Sequence, residues 1–577
     1  TTKSIVQAPG TGRADKPFGR DRRKYGTLEL GNIKPSLEGR WIANTLDGEV
    51  EVTTVFELLK EECENYKPQM ASEITGVSPQ VIEKTARMFA DAEPGMIYAG
   101  YASCKWLHGD LLQRAMLLML ALTGSTGKEG GGLQIANSPN ARGLTQFGFS
   151  DIGPAFRLIS STTWDYDHAD MKELNKKIYG NDLAEKFDRY YKKSIEEDWF
   201  PDYSQNGWKM GIFAGNNGAN WRATGSTWRK TAFEELETIV SLAPDMGVTS
   251  LFSDYVLPIA HHYERNDLML QSRVPYLQVL TEAVPPLGEA VDDWEANRRL
   301  AEAISRRAKE RGVKPIQDAV DGRTIRRDYT KTLDLYTMGG RVNNSIDVAQ
   351  FIINASHGIP KISFEELSQK GIVKVEGVEN TMWDKDESPF HNEIVKSVQK
   401  KLPYETFTGR QQFYIDHEWF IEFGETLPTF KEPLKIKGYP MRMMMGHARH
   451  GIHSTWRDDS LLLSLQRGEP DIYVNPDDAS LRDVADGDMI RVYNTAGEFS
   501  AMAHVSSGIQ PGMLFMYHGW DPKMFKDGKN FSEVIPTGGL IKPTSMAGDY
   551  GHLGYQPLAF APNQTYKDFT CDFEKTA

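Results

Sequence analysis

The feature that most constrains this chain is an apolar strand running into a glycine-hinged polar loop, because the pattern recurs. Residues 96–132, MIYAGYASCKWLHGDLLQRAMLLMLALTGSTGKEGGG, give a short strand ending at Gly100, a polar loop, and a helix from about Asp110 to Gly124. Residues 210–225, MGIFAGNNGANWRATG, repeat the strand, glycine turn and polar loop. In residues 238–264, TIVSLAPDMGVTSLFSDYVLPIAHHYE, an apolar strand delivers Asp245. Strand–loop–helix order puts such loops at the carboxyl ends of parallel strands, where open α/β sheets bind ligands. The fold class expected is α/β with mostly parallel sheets.

The loop residues carry the chemistry. Gly215, Asn216 and Asn217 can bring backbone N–H groups close to a pyrophosphate, although ordinary strand-to-helix turns look similar. Asp245, just past its strand, can accept hydrogen bonds from a ribose or a guanine edge. No GxGxxG fingerprint stands at a suitable place, which weakens a nicotinamide-dependent dehydrogenase. Tyr101, Lys105, Trp106 and His108 share the first loop. Aromatic residues there are more often packing than chemistry, and Lys105 is the least easily assigned to structure.

A second polar concentration lies late in the chain. Gly446–Arg457, GHARHGIHSTWR, packs three histidines, two arginines, a serine and a threonine between glycines. Arginine, hydroxyl and imidazole groups alternating with glycine suit capture of phosphates and heterocycle edges, since glycine lets backbone donors approach closely. A polar surface loop has the same composition. Six of the thirteen histidines follow residue 446, but without paired ligand spacings or nearby cysteines, so no metal ligands are assigned. Asp416, His417 and Glu418 are adjacent, share no face, and are read as structural. MIRVYN (489–494) and FSAMAHV (499–505) flank a hairpin turn, and MLFMYHGW follows Pro511-Gly512. This final region reads as all-β.

Elsewhere the pattern is mostly scaffold. Residues 1–50 read as an extended arm whose basic run, KPFGRDRRK at 16–24, is a solvated face or a redox-partner contact. Helices are expected over 55–66, after Ser78 and Pro79 as N-cap and first-turn proline, and over 285–312 with acidic start and basic end. A net charge of −13 argues against a nucleic-acid partner. The apolar run from Ala115 falls short of the ~20 residues a membrane-spanning helix needs. The start, TTKSIVQAPG, has no apolar targeting core and reads as internal. Cys63, Cys104 and Cys571 are too scattered for an iron–sulfur cluster.

Together these segments resemble the molybdenum bis(guanine dinucleotide) oxidoreductases of the dimethyl sulfoxide reductase superfamily. The likeness runs from near Val50 through ITGV, D-x-x-x-T, SDYVLP and AVPPLGEAVDDW to VNPDDASLRDVADGDMIRVYN and the closing AGDYGHLGYQPLAFAPNQ. It is nearest the branch of nitrate, selenate and (per)chlorate reductases, nitrite oxidoreductase and ethylbenzene dehydrogenase. The resemblance implies that the cofactor is molybdenum bis(molybdopterin guanine dinucleotide). It would be held by Gly215, Asn216, Asn217, Asp245, Gly446, His447, Arg449, His450, Ile452, His453, Ser454, Thr455, Asp549, His552 and Asn563. Lys105, Tyr101 and Trp106 would roof the molybdenum. Nitrate reductases carry asparagine–histidine–tryptophan at that loop, whereas this chain reads Cys104–Lys105–Trp106.

The organisation expected is an arm over 1–50, an α/β cofactor-binding domain over 51–250, an α/β domain with a mixed insertion over 251–430, and a C-terminal β-barrel over 431–577. The family's N-terminal cysteine motif and molybdenum-ligating aspartate are not found, so the chain reads as the C-terminal portion of a longer catalytic subunit. Iron–sulfur clusters would lie outside it, in the missing N-terminal part and in an electron-transfer subunit, with a haem subunit as a further partner. The family implies a bacterial periplasmic enzyme without a membrane span of its own. The reaction implied is two-electron oxygen-atom transfer on an oxyanion; water-dependent hydroxylation of an alkylbenzene and a non-catalytic scaffold relative stay open.

Overall fold

The structure, a computed structural model, describes residues 34–100, 108–128, 130–134, 171–196, 208–221, 225–270, 276–320, 323–356, 359–375, 411–415, 418–433, 435–457, 459–465, 468–536, 541–547, 556–562 and 569–576, with residues 32, 106 and 398. Tyr101, Lys105, Asp549, His552 and Asn563 lie outside the described residues, as do Asp416 and His417.

The arm expected over 1–50 has given way to regular structure by Arg40, where β1 (Arg40–Thr45) and β2 (Gly48–Thr53) form an antiparallel hairpin. Gly48 takes φ +107 to close the two-residue turn. The helix Val55–Cys63 follows, its Thr54 side chain accepting from the Glu57 N–H at 3.1 Å. Pro79–Asp91 starts as expected from Ser78, whose hydroxyl accepts from the Val81 N–H. β3 (Met96–Tyr98) pairs in parallel with β4 (Gly132–Gln134), and the helix Gly109–Leu122 connects them.

The sheet that builds the site has order β5–β6–β7: Met210–Ala214, Thr238–Ala243 and Tyr255–Pro258, all parallel. Central β6 is flanked on both sides and nearly continuously apolar, the signature of a buried parallel strand. Next, β8 (Asp267–Leu270), β9 (Tyr276–Leu280) and later β12 (Ile372–Lys374) make an antiparallel sheet packed on Ile353, Ile359 and Leu367. The helix expected over 285–312 spans Asp293–Glu310. Pro285 and Pro286 cannot supply helical N–H groups, and Asp292 caps the start by accepting from the Glu295 N–H at 2.7 Å. β10 (Ile316–Val320) and β11 (Arg323–Arg327) form a hairpin.

The C-terminal region closes into a barrel of β13 (Met441–Gly446), β14 (Asp471–Val474), β15 (Met489–Tyr493), β16 (Glu498–Val505), β17 (Met513–Tyr517) and β20 (Thr570–Lys575). Its order is β13-β17-β14-β16-β15-β20; β13 runs parallel to β17 and β14 parallel to β16. Every second residue points inward: Met441, Met443 and Met445; Ile490 and Val492; Phe499, Ala501 and Ala503; Leu514 and Met516 are all buried. β18 (Ile541–Ala547) and β19 (Gln556–Pro562) form a separate hairpin. The α/β class with a C-terminal barrel is therefore as the sequence indicated. One apolar cluster joins the two parts, with Ala219, Trp228, Phe233, Ile239 and Val248 contributing from the parallel sheet and its helices.

Candidate functional site

The carboxyl ends of β5, β6 and β7 face the ends of β13 and β17 across a cavity of about 1430 Å³. That exceeds the ~300–1,000 Å³ of a drug-sized pocket and suits an elongated, dinucleotide-sized guest. After β5, Gly215 turns with φ +58 and presents Asn216 and Asn217. Asn217 is the hinge of the wall. Its Oδ1 accepts from the Thr249 N–H at 3.0 Å and the Thr249 hydroxyl at 3.1 Å, and its Nδ2 donates to Ser454 Oγ at 3.1 Å. One amide thus ties the loop after β5 to the loop after β6 and to the barrel. Gly247 must be small here, because a Cβ would stand 3.0 Å from Asn217 Nδ2.

The barrel side is set by strand register. Gly446 lies opposite Tyr517 in the parallel β13–β17 pair, so His447 and His518 leave the rim side by side. The His518 N–H donates to the Gly446 carbonyl at 3.0 Å, and His518 Nδ1 meets the same oxygen at 2.5 Å. Gly519 is fixed by space: at φ +98 its Cβ would fall 1.9 Å from the His453 carbonyl oxygen. His453 and Trp456 hold φ of +52 and +67. Such left-handed backbone costs of order 1–3 kcal/mol per residue and persists where surroundings enforce it. Arg457 anchors the end of this segment: buried, it lies 4.5 Å from the Trp520 ring and donates to the His518 carbonyl at 2.5 Å. Burial lowers its pKa from the ordinary arginine value.

Two deeper contacts weld the walls. Asn220 donates to Asp521 Oδ1 at 2.8 Å, and Arg229 pairs with Glu533 at 3.0 Å, both groups nearly buried. The rest of the lining mixes apolar side chains such as Leu242, Ile259 and Phe531 with polar and charged ones. His261 meets Trp456 edge-on at 4.9 Å, and Arg265 pairs with Asp293 at 2.5 Å. Burial first, and then the Arg265 cation, lower the pKa of His262.

Among the sequence-assigned residues, Gly215, Asn216, Asn217, Asp245, His447, His453, Ser454 and Thr455 line this cavity. Gly446 stands just behind it as the acceptor for His518. Arg449, His450, Ile452 and Trp106 are not among the lining residues; Arg449 and His450 are exposed in the turn beyond His447. Reasoning from composition missed Trp221, His261, His262, Arg265, Trp456, Asp459 and His518. The signal for His518 was the HGWD that follows β17, readable only once β17 is paired with β13. The sequence assigned no metal ligands, yet His447, His453 and His518 place one nitrogen each within 4.8 Å of one another.

A strand-end crevice lidded by a barrel and lined in part by amides, hydroxyls and imidazoles has the size and donor set to receive a dinucleotide. Residues 41–303 match the molybdopterin oxidoreductase family, and residues 441–551 match the molydopterin dinucleotide binding domain. The chain belongs to the molybdopterin oxidoreductase family, within the dimethyl sulfoxide reductase superfamily. The matched families indicate molybdenum bis(molybdopterin guanine dinucleotide) as its cofactor. The chain is 32% identical to the respiratory nitrate reductase subunit alpha of Haloferax mediterranei over 99% of its own length and 59% of that protein's. It is 33% identical to the perchlorate reductase subunit alpha of Dechloromonas aromatica, covering 95% of this chain and 59% of that one. With the dimethylsulfide dehydrogenase subunit alpha of Rhodovulum sulfidophilum the identity is 31%, over 98% and 62%. The chain thus spans about three fifths of the length of these curated relatives. In fold it is similar to acetylene hydratase from Pelobacter acetylenicus, with a TM-score of 0.57 at 17% identity over 90% of this chain and 66% of that one.

Proposed function

We propose that this chain forms part of the catalytic subunit of a molybdenum enzyme that reduces an oxyanion of the nitrate, chlorate or perchlorate type. The observation that carries the reading is the crevice, built jointly by the β5–β7 loops and the barrel rim and locked by Asn217 to Ser454. The lining fits the cofactor: glycine at Gly215 and Gly247 opens close backbone approach, while Asn216, Asn217, Ser454 and Thr455 offer donors for phosphate oxygens. When bound, molybdenum bis(molybdopterin guanine dinucleotide) supplies two-electron oxygen-atom exchange.

The chain's own contribution is positioning. Asp245 can accept from a ribose or guanine edge, and the Asn217–Thr249–Ser454 network holds the loops in one geometry. To Lys105, outside the described residues, we assign the ammonium that attracts the oxyanion; in a partly dry pocket that attraction is much less screened than in water. Electrons would pass through iron–sulfur clusters outside this chain, in an N-terminal segment and a partner subunit, with a haem subunit beyond, in a periplasmic complex.

The test has two readouts on the purified complex. Mass spectrometry should find molybdenum and a guanine nucleotide; their absence would favour a non-catalytic scaffold relative. Steady-state assays should then show turnover of nitrate, nitrite or chlorate that falls in Lys105→Ala. Turnover of alkylbenzenes alone, with oxyanions inert, would overturn the substrate class.

A further inference from the structure

We propose that His447, His453 and His518 form a tri-imidazole binding site for a divalent transition cation of the zinc class, available in the protein without its dinucleotide. The site lies beyond the activity proposed above, and only its restriction to dinucleotide-free protein rests on that reading. Three observations carry it.

First, the three rings converge. Their centroids are 4.5 Å apart for His447–His518, 5.0 Å for His447–His453 and 5.2 Å for His453–His518. One nitrogen from each lies within 4.8 Å of the other two, and His453 Nδ1 is 3.0 Å from His518 Nε2. Zinc–nitrogen bonds of ~2.0–2.1 Å in a tetrahedron separate ligand nitrogens by about 3.3 Å. The His453–His518 pair lies just inside that value and the other pairs lie within 4.8 Å, so ring rotations, with the His453 Nδ1–His518 Nε2 hydrogen bond giving way to the metal, would close the site.

Second, one ligand is backed as metal-binding histidines usually are. His518 Nδ1 meets the Gly446 carbonyl oxygen at 2.5 Å. A carbonyl can only accept, so Nδ1 carries the proton and Nε2 is left as the coordinating nitrogen. This carbonyl–histidine arrangement fixes tautomer and ring orientation in metal sites. The same carbonyl also accepts the His518 N–H at 3.0 Å, and Arg457 holds the His518 carbonyl.

Third, the backbone is committed to the cluster. His453 keeps φ +52 and packs its carbonyl where a Cβ on Gly519 would sit. His447 and His518 are held side by side by the parallel β13–β17 register. Three imidazoles on a cavity wall leave a fourth position for solvent, the pattern of an open zinc site, and imidazole suits zinc, copper and nickel alike.

Because these rings also line the cavity assigned to the dinucleotide, the cation would occupy cofactor-free protein. The experiment uses the full 577-residue chain, stripped by chelator and checked to be nucleotide-free, with Co²⁺ and Zn²⁺ as probes. Titration with Co²⁺ should give visible d–d bands at one equivalent, and Zn²⁺ should displace them. His518→Ala and His453→Ala should each weaken binding by more than the about 10–100-fold that loss of an outer-shell partner costs. His504→Ala, a barrel histidine 3.3 Å from Asp486 and outside the cluster, should leave it unchanged. Circular dichroism would show that the variants remain folded. Binding that survives His518→Ala and His453→Ala, or no one-equivalent Co²⁺ spectrum at all, would overturn the proposal.

Discussion

Glu533→Ala should loosen the seam between the parallel sheet and the barrel, and the size of the effect follows from what the carboxylate does. Glu533 sits in the short 3₁₀ turn Phe531–Val534 with its side chain 5% exposed. It accepts from Arg229 at 3.0 Å and from the Ser226 N–H at 3.1 Å, and it meets the Ser226 hydroxyl at 2.5 Å. Arg229 is itself only 9% exposed, and it also donates to the Ala219 carbonyl at 3.0 Å. Deleting the acid leaves a buried guanidinium without its counter-charge and an amide without its acceptor. Breaking a buried pair in this way costs about 3–5 kcal/mol. At ~2–4 °C per kcal/mol for a unit of this size, the transition that reports on the barrel should fall by about 6–20 °C.

Thermal unfolding followed by tryptophan fluorescence measures this, because Trp228 and Trp520 both lie in the shared core. The control is Glu574→Ala, which removes a half-exposed pair with Arg491 at 2.6 Å and should cost under about 1 kcal/mol. The double variant Arg229→Met/Glu533→Leu should recover part of the loss, since an apolar pair of similar volume lacks the stranded charge. Equal melting temperatures for Glu533→Ala and Glu574→Ala would refute the reasoning.

Three further outcomes follow from the same geometry. Gly519→Ala should deplete dinucleotide content in purified protein, because the new methyl group falls on the His453 carbonyl; full guanine content would count against the tight fit. Asn217→Ala removes the side-chain bonds to Thr249 and Ser454, at about 0.5–1.5 kcal/mol each, and should lower guanine occupancy while leaving the barrel's far-ultraviolet dichroism intact. His262 has its pKa depressed by burial and then by Arg265, so the unfolded chain binds its proton more readily. Its contribution to stability is therefore present above pH 6.5 and lost as the pH falls through the folded value, and His262→Gln should flatten the melting temperature between pH 5 and 7.

What was legible in the sequence was local. Ser78-Pro79 announces its helix because an N-cap and a proline need only their immediate neighbours. Thr495-Ala496-Gly497 announces the β15–β16 hairpin for the same reason. The strand-end loops gave Asn217 and Asp245, since a strand running into glycine predicts where a βα loop opens. Composition gave the GHARHGIHST segment but not its facing. His447, His453 and Ser454 turn to the cavity, whereas Arg449 and His450 are carried outward by the turn at 449–450. His518 and Glu533 depend on pairings with Gly446 and Arg229, residues distant in sequence, and no local pattern encodes those.

Those distant pairings explain why the cavity and the stability of the seam belong to one problem. Its walls come from separate parts of the chain: Asn217 and Asp245 on the β5–β6 side, His447, Ser454 and His518 on the barrel side. Neither wall makes the crevice alone, so a guest that bridges them adds its binding energy to the docked arrangement and none to the undocked one. The same linkage runs backwards. A variant such as Glu533→Ala, which lies outside the lining, weakens docking and must raise the apparent dissociation constant of the dinucleotide by the reciprocal of the fraction of chains still docked. Asn217→Ala acts on both terms, because its amide belongs to the lining and to the seam. Combining the two substitutions separates them: losses in guanine occupancy that simply add would mean that docking and binding are independent, and a shared core makes that the unexpected result.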